Sequence, residues 1–270
     1  MNGNGMASEP DAQVQLSIVI PAFNEAHRLP HTLAAITEKL SNVTGRLPAE
    51  VIVVDDGSTD GTASGTIPAP PDVNVRVVRH PVNRGKGAAV RTGFATARGA
   101  LVLLSDADLA TPIEELDHIA AAGGPGRVVI GSRAVDRTLI SVRQPWYRDC
   151  MGRTFNFLVR HLLLPGIHDT QCGFKLFPGS LARALAAVQR IDGFAFDVEL
   201  LVLARRWGYD IREVGVRWRH VEASRVSPAR HSLEMFRDVI RLKARQLRGA
   251  LPPCPSGLDR TGHRTRIPPT

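Results

Sequence analysis

The chain has 270 residues, 43% of them hydrophobic but only 5% aromatic, and a formal net charge of +8. That is enough for one large α/β domain with an aliphatic core, and the basic balance favours anionic partners. No apolar run reaches membrane-spanning length, the first 15 residues lack the apolar stretch of a signal peptide, and three scattered cysteines fit no disulfide framework, so a cytoplasmic protein is expected.

Residues 1–15 are poor in apolar side chains and are expected to be disordered. Leu16 to Ile20 reads as a buried strand halted by Pro21, and Leu29, Leu33, Ile36 and Leu40 then recur at helical spacing. Val51 to Val54 is a second strand, residues 62–74 an irregular connection, and Val75 to Val78 a third strand. Gly85 to Arg98 reads as a helix entered through glycines, Leu101 to Leu104 as a fourth strand, and Val128 to Ile130 as a fifth. Strands alternating with helices predict a mostly parallel sheet covered on both faces. Trp146 to Leu164 mixes aromatic and aliphatic residues with arginines. It reads as an amphipathic helix, lying on a membrane surface or packed on the core. Ile211 to Trp218 reads as a core strand. The main domain is expected over 16–224, a basic amphipathic helix over 225–248 with Leu233, Phe236, Ile240 and Leu247 on one side, and a disordered basic tail over 249–270.

Polar clusters follow the strands. Asn24-Glu25, Asp55-Asp56 and Asp106-Ala107-Asp108 each stand at a strand's carboxyl end, where open α/β sheets bind ligands. Two carboxylates one residue apart repel unless a cation lies nearby, and hard oxygen ligands suit Mg²⁺ or Mn²⁺ shared with phosphate oxygens. For Asp55-Asp56 an Asx turn into Gly57-Ser58 is the alternative. Asn83-Arg84-Gly85-Lys86-Gly87 lacks full P-loop spacing, yet its glycines let backbone N–H groups approach an anion. The sequence has no zinc-finger spacing, no aromatic RNA-binding motif and no evident recognition helix. Nucleic-acid binding is therefore the weaker alternative that charge alone supports.

Ile20-Pro21-Ala22-Phe23-Asn24-Glu25, Val53 to Thr62 and Asp106-Ala107-Asp108 resemble the inverting glycosyltransferases of the GT-A fold. Gly131-Ser132-Arg133, Asp169 to Lys175 and Phe194 to Leu201 sharpen this to the polyprenyl-phosphate glycosyltransferases, nearest the dolichyl-phosphate β-glucosyltransferase type. Ala110 stands where the mannose synthases commonly carry Gln, and Leu109 where the glucosyl type usually shows Gly.

The resemblance implies a nucleotide-sugar site at Pro21, Ala22, Phe23, Glu25, Asp55, Asp56, Lys86 and Asp106 to Asp108, with UDP-glucose favoured over GDP-mannose. It assigns Asp106 and Asp108 to the metal, and Arg133 and Arg148 to the phosphate of a polyprenyl acceptor. A polyprenyl monophosphate is already ionised near neutral pH and needs no general base. Arg148 reads equally as a surface charge, and Asp169 either touches substrate or orders the arginines. A soluble acceptor such as phosphoglycerate is a further alternative. A lipid acceptor places the enzyme peripherally on the cytoplasmic face of a membrane.

Overall fold

The structure, a computed structural model, describes residues 14–42, 48–63, 73–124, 126–221 and 228–258, with side chains omitted for 228–231. The expectations for 1–13, 64–72 and 259–270 lie outside these residues.

Seven strands form the main sheet. They are β1 (Leu16–Ala22), β2 (Ala49–Asp55), β3 (Val73–Arg79), β4 (Leu101–Ser105), β5 (Arg127–Ser132), β7 (Phe174–Pro178) and β8 (Asp210–Gly215), in the order β3-β2-β1-β4-β7-β5-β8. β7 runs antiparallel to both neighbours and the other pairings are parallel. Six carboxyl ends and the amino end of β7 therefore share one edge. β1 does not halt at Pro21 but continues to Ala22. Its pairing with β4 ends at Val19, so proline's missing N–H costs no ladder bond on that side.

Alternate residues of β1 feed two cores, one on each face of the sheet. Ile18 and Ile20 pack with helix α1 (Leu29–Ser41) and α3 (Glu115–Ala121). Val19 packs with α2 (Lys86–Thr96), α5 (Gly179–Val188) and α6 (Phe196–Arg206). α2 lies close to β1 because Gly93 presents no side chain there; a Cβ would overlap Val19.

Two peripheral helices complete the chain, α4 (Trp146–Leu162) and α7 (Pro228–Leu247). In α4, Val159 is buried while Phe155, Leu158 and Leu162 lean on the core. In α7 the inward residues are Val239 and Leu242, whereas Leu233, Phe236, Ile240 and Leu247 stay exposed. Each helix thus packs one face on the core and leaves apolar side chains exposed on another.

Three further expectations are corrected. Ile211 to Trp218 is not one strand: the chain leaves the main sheet after Gly215, and Trp218–Arg219 (β9) pairs with Ile140–Val142 (β6) in a separate two-stranded sheet. The tail is not disordered throughout. Leu251 is buried, Cys254 and Leu258 pack on the core, and the indole N–H of Trp207 donates to the Pro252 carbonyl at 3.2 Å. Three apolar side chains and a backbone acceptor anchor a segment whose Pro content reads as disorder. Val14 and Gln15, also assigned to disorder, extend β1's backbone bonding to Pro48, Ala100 and Leu101.

Candidate active site

The crevice forms where the strand tips meet. β1 delivers Phe23 to Glu25, and β2 delivers Asp55-Asp56. β4 delivers Asp106 and Asp108, β5 delivers Arg133, and the loop leading into β7 delivers Asp169 to Gly173. The antiparallel β7 brings that last loop to the same edge, since Phe174 pairs with Ser105.

The first two tips are laced together. Asn24 adopts φ 56, which Asn tolerates, and its Oδ1 accepts the Thr59 N–H at 2.8 Å, while its own N–H donates to Ser58 Oγ at 2.8 Å. The Glu25 N–H donates to Thr62 Oγ1, and the Glu25 carboxylate grips Arg28 with two bonds of 2.6 and 2.7 Å. Asp55 and Asp56 are buried. Asp55 Oδ1 accepts the Ser58 N–H, the turn alternative. Asp56 accepts from the Arg84 and Gly85 N–H groups, with His80 Nδ1 at 2.7 Å from its Oδ1. Asp56 therefore holds the loop entering α2, beyond any contact with a base. Pro21 and Ala22 are buried at the end of β1, and Phe23 is 38% exposed.

Lys86 opens α2 and its Nζ lies 2.7 Å from Asp106 Oδ1. Burial works against the ammonium, but Asp106 and Asp197 outweigh it and raise the Lys86 pKa. Burial first, and then the Asp106 charge, push the Asp108 carboxyl up. Asp108 Oδ1 accepts the Ala110 N–H at 3.0 Å, closing a turn in which Leu109 takes φ 44. That left-handed conformation favours glycine, and holding Leu there costs about 1–2 kcal/mol.

Arg133 and Asp169 form a tight pair. Arg133 donates from Nε at 2.7 Å and from Nη2 at 2.8 Å to the two oxygens of Asp169, whose Oδ2 also takes the Arg133 backbone N–H. Burial alone raises the Asp169 carboxyl, but Arg133 and the surrounding N–H donors hold it well below the usual carboxylate range. Asp169 thus orders Arg133, one of the two roles expected of it. Arg148 lies in the first turn of α4. Its side chain makes no hydrogen bond or ion pair among the described residues, and its Nε is buried without a partner. A buried guanidinium donor without a partner is costly, and the Arg148 side chain as a whole is half-buried.

Several contributors were not anticipated. Lys175 is fully buried on β7, where its Nζ donates to Asp197 at 2.6 Å and to the Cys172 carbonyl at 2.5 Å, fixing the loop beside Asp106. A lysine inside the apolar run Phe174 to Phe177 was the available signal. Asn156 of α4 accepts from the Thr170 N–H and hydroxyl, and Glu213 accepts the Asp169 N–H, so both brace the same loop. Trp218 lines a small cavity with Asp106, Leu109, Thr111 and Gly173 instead of lying in the core. Nothing in its sequence spacing distinguishes it from a core residue.

Residues 17–185 match the family described as Glycosyl transferase family 2. The chain belongs to that family. It is 39% identical over 256 residues to a Drosophila melanogaster protein named dolichyl-phosphate beta-glucosyltransferase, covering 90% of this chain and 78% of that one. It is 37% identical over 250 residues to the Homo sapiens protein of the same name, covering 87% and 77%. Among solved structures, glucosyl-3-phosphoglycerate synthase from Mycobacterium tuberculosis, crystallised with Mn²⁺, UDP-glucose and phosphoglyceric acid, matches with a TM-score of 0.62 at 22% identity, covering 86% of this chain and 81% of that one. Mannosyl-3-phosphoglycerate synthase from Rubrobacter xylanophilus matches at 0.62 and 19%, covering 93% and 80%. These neighbours establish the GT-A fold, and the family makes this chain a glycosyltransferase.

The donor set fits a divalent metal of the kind bound by that neighbour. Asp106 and Asp108 offer hard oxygens, and their mutual repulsion is what a cation relieves. Among the described residues no cluster of three or more His, Cys, Asp or Glu forms a metal cage. Two carboxylates leave the remaining positions to diphosphate oxygens and water, as Mg²⁺ and Mn²⁺ sites commonly do. No helix among the described residues is long and apolar enough to cross a membrane.

Proposed function

We propose that this glycosyltransferase moves glucose from UDP-glucose to a polyprenyl phosphate, with inversion at the anomeric carbon. The observation that carries this reading is the pairing of the site's acids. Asp106 faces Lys86, Asp169 is locked on Arg133, and Asp197 is held by Lys175. That pairing suits an acceptor that needs no deprotonation, and a phosphate monoester is already ionised near neutral pH. An acceptor phosphate oxygen forms the new bond to C1 of glucose as the bond from C1 to the β-phosphate oxygen breaks, and UDP leaves with the electron pair.

The chain's own residues prepare that displacement. Arg133 spends Nε and one Nη2 hydrogen on Asp169, which leaves the Nη1/Nη2 edge of its guanidinium for an anion. Arg148 supplies an unpaired second cation. Lys86 places its charge beside the donor phosphates, and Phe23 and Glu25 line the nucleotide end, with the buried Asp55 fixing the turn at Ser58 beneath them. Asp106 and Asp108 would hold Mg²⁺ or Mn²⁺, and the bound ion would supply positive charge for the departing diphosphate.

The test is transfer of label from radiolabelled UDP-glucose into the organic phase with polyprenyl phosphate and Mg²⁺ or Mn²⁺. Label confined to water, with GDP-mannose tried in parallel, rejects the reading. Label moved instead to phosphoglycerate replaces the acceptor. Arg148→Ala is expected to raise the acceptor KM about tenfold or more, the loss of a charged hydrogen bond, with the donor KM unmoved.

The enzyme works at a membrane surface. Trp146 (81% exposed), Tyr147, Met151 and Phe157 on α4, and Leu233, Phe236, Ile240 and Leu247 on α7, form the apolar faces. Arg153, Arg237 and Arg241 are exposed on the same two helices and Arg248 just after the second, the composition of an interfacial helix on anionic lipid. Trp146→Glu combined with Phe157→Glu is expected to weaken cosedimentation with phosphatidylglycerol-containing vesicles at least tenfold, with an unchanged melting temperature. Undiminished binding contradicts the assignment.

A further inference from the structure

Two hydrogen bonds to Asp169 fix Arg133 within the plane of its guanidinium, but they leave the group free to tilt about that edge. A flat group is held against tilting by something on its face. Trp218 stands there, with the Arg133 Cζ 5.5 Å from the ring centroid. A cation over an aromatic face is attracted by the ring quadrupole, more strongly where water is scarce.

The ring's own position is fixed from two directions. Trp218 pairs with Ile140 in the small sheet, and the next residue, Arg219, donates its N–H to the Ala110 carbonyl at 2.9 Å. Ala110 belongs to the turn closed by Asp108. The ring also borders the cavity shared by Asp106, Leu109 and Gly173. One side chain thus spans from the arginine to the turn that carries the paired acids.

We propose that Trp218 is a positioning residue for acceptor binding. Its indole covers one face of Arg133 and sets the plane in which the free Nη1/Nη2 edge meets the acceptor phosphate. The small sheet formed by β6 and β9 exists at this edge of the fold to hold that ring against the Asp108 turn. The assignment rests on the reading that Arg133 receives the acceptor phosphate.

The experiment compares Trp218→Leu, which keeps apolar bulk without a π face, with Trp218→Phe, which keeps the face. Trp218→Leu is expected to raise the KM for polyprenyl phosphate about tenfold, the weight of a partly desolvated cation–π contact, with the UDP-glucose KM and melting temperature little changed. Trp218→Phe should recover most of the loss. Calorimetric binding of citronellyl phosphate without metal should weaken in the same order. In an Arg133→Lys background the difference between Leu and Phe should vanish, because an ammonium has no plane to set. An unchanged acceptor KM in Trp218→Leu overturns the proposal, as does an equal rise in both KM values or a failure of Phe to rescue. If the wild-type protein transfers nothing to polyprenyl phosphate and binds no citronellyl phosphate, the acceptor reading falls and takes this assignment with it.

Discussion

Gly173→Ala is expected to cut transfer at least about 100-fold while leaving the protein folded, since a misplacement of about 1 Å at a reacting centre has that consequence. Gly173 immediately precedes β7, and its Cα faces the side chain of Asp106. A Cβ built there would overlap the Asp106 carboxylate itself, lying 1.9 and 2.6 Å from its two oxygens and 2.2 Å from Cγ. The backbone at Gly173 does not occupy the left-handed region, so alanine brings no conformational strain of its own. The whole effect falls on Asp106, which must swing away and lose its place against Lys86. Steady-state kinetics with a thermal melt would check this. The expected result is a collapsed kcat, with stability lowered by no more than about 2 kcal/mol, the scale of local overpacking. Gly152→Ala is the control: in α4 a Cβ at Gly152 meets nothing within 4 Å. That change should stabilise by about 0.5–1 kcal/mol without altering transfer. Near-normal kcat in Gly173→Ala would mean that Asp106 has room the structure does not show.

The contrast between these two glycines measures what a sequence conveys. Both are single glycines in mixed surroundings, and only the fold reveals that one lies against a carboxylate contributed from 67 positions earlier (173 − 106). The central parallel strands β1, β2, β4 and β5 were legible because each is buried on both faces and reads as an apolar run. The acids at their tips were legible because a charge that ends an apolar run marks the point where a buried strand meets solvent. β7 was not expected as a strand at all, since Lys175 interrupts its short apolar run, and its antiparallel direction leaves no mark in composition. Trp218 read as core because alternation continues through Val214, Val216 and Trp218, yet the chain changes sheets between them. Leu233, Phe236, Ile240 and Leu247 were correctly grouped as one stripe. The periodicity does not tell which of two apolar stripes on α7 faces inward, and the buried one runs through Val239 and Leu242.

The paired acids also acquire a different meaning from the structure. Asp106 is held by Lys86 and hemmed by Gly173, so its carboxylate is placed before any ligand arrives. Asp108 spends one oxygen on the turn at Leu109, and the Arg219 N–H anchors that turn through the Ala110 carbonyl. The strained backbone at Leu109 persists because both neighbours are pinned. The loop that carries the paired acids thus takes its two restraints from Asp108 itself and from the sheet that carries Trp218.

A second large effect is expected far from these acids, at Glu199. This residue is fully buried in α6. Its Oε2 accepts the backbone N–H groups of Arg190 and Ile191 at 2.9 and 2.8 Å, and its Oε1 accepts from Arg245 of α7 at 3.0 Å. The loop so held reaches the start of α2. The Asp192 carbonyl accepts the Gly87 N–H at 2.7 Å, and Gln189 donates to the Gly87 carbonyl at 2.8 Å. Lys86 is the next residue back. One carboxylate therefore joins the peripheral helix α7 to the backbone that presents Lys86 to Asp106. Glu199→Gln leaves Arg245 without a counter-charge, and its Nε and Nη2 already lack hydrogen-bond partners. Breaking a buried pair from one side costs about 3–5 kcal/mol, so urea unfolding should show a loss near the lower end of that range, given that Arg245 is 22% exposed. Arg245→Met should cost less, because Glu199 keeps two backbone donors, and the double variant should recover part of the loss. A drop below about 1 kcal/mol in Glu199→Gln would show that the pair is not coupled to the fold as its burial implies. A full drop in stability with an unchanged kcat in the surviving folded protein would separate the anchoring of α7 from the placement of Lys86.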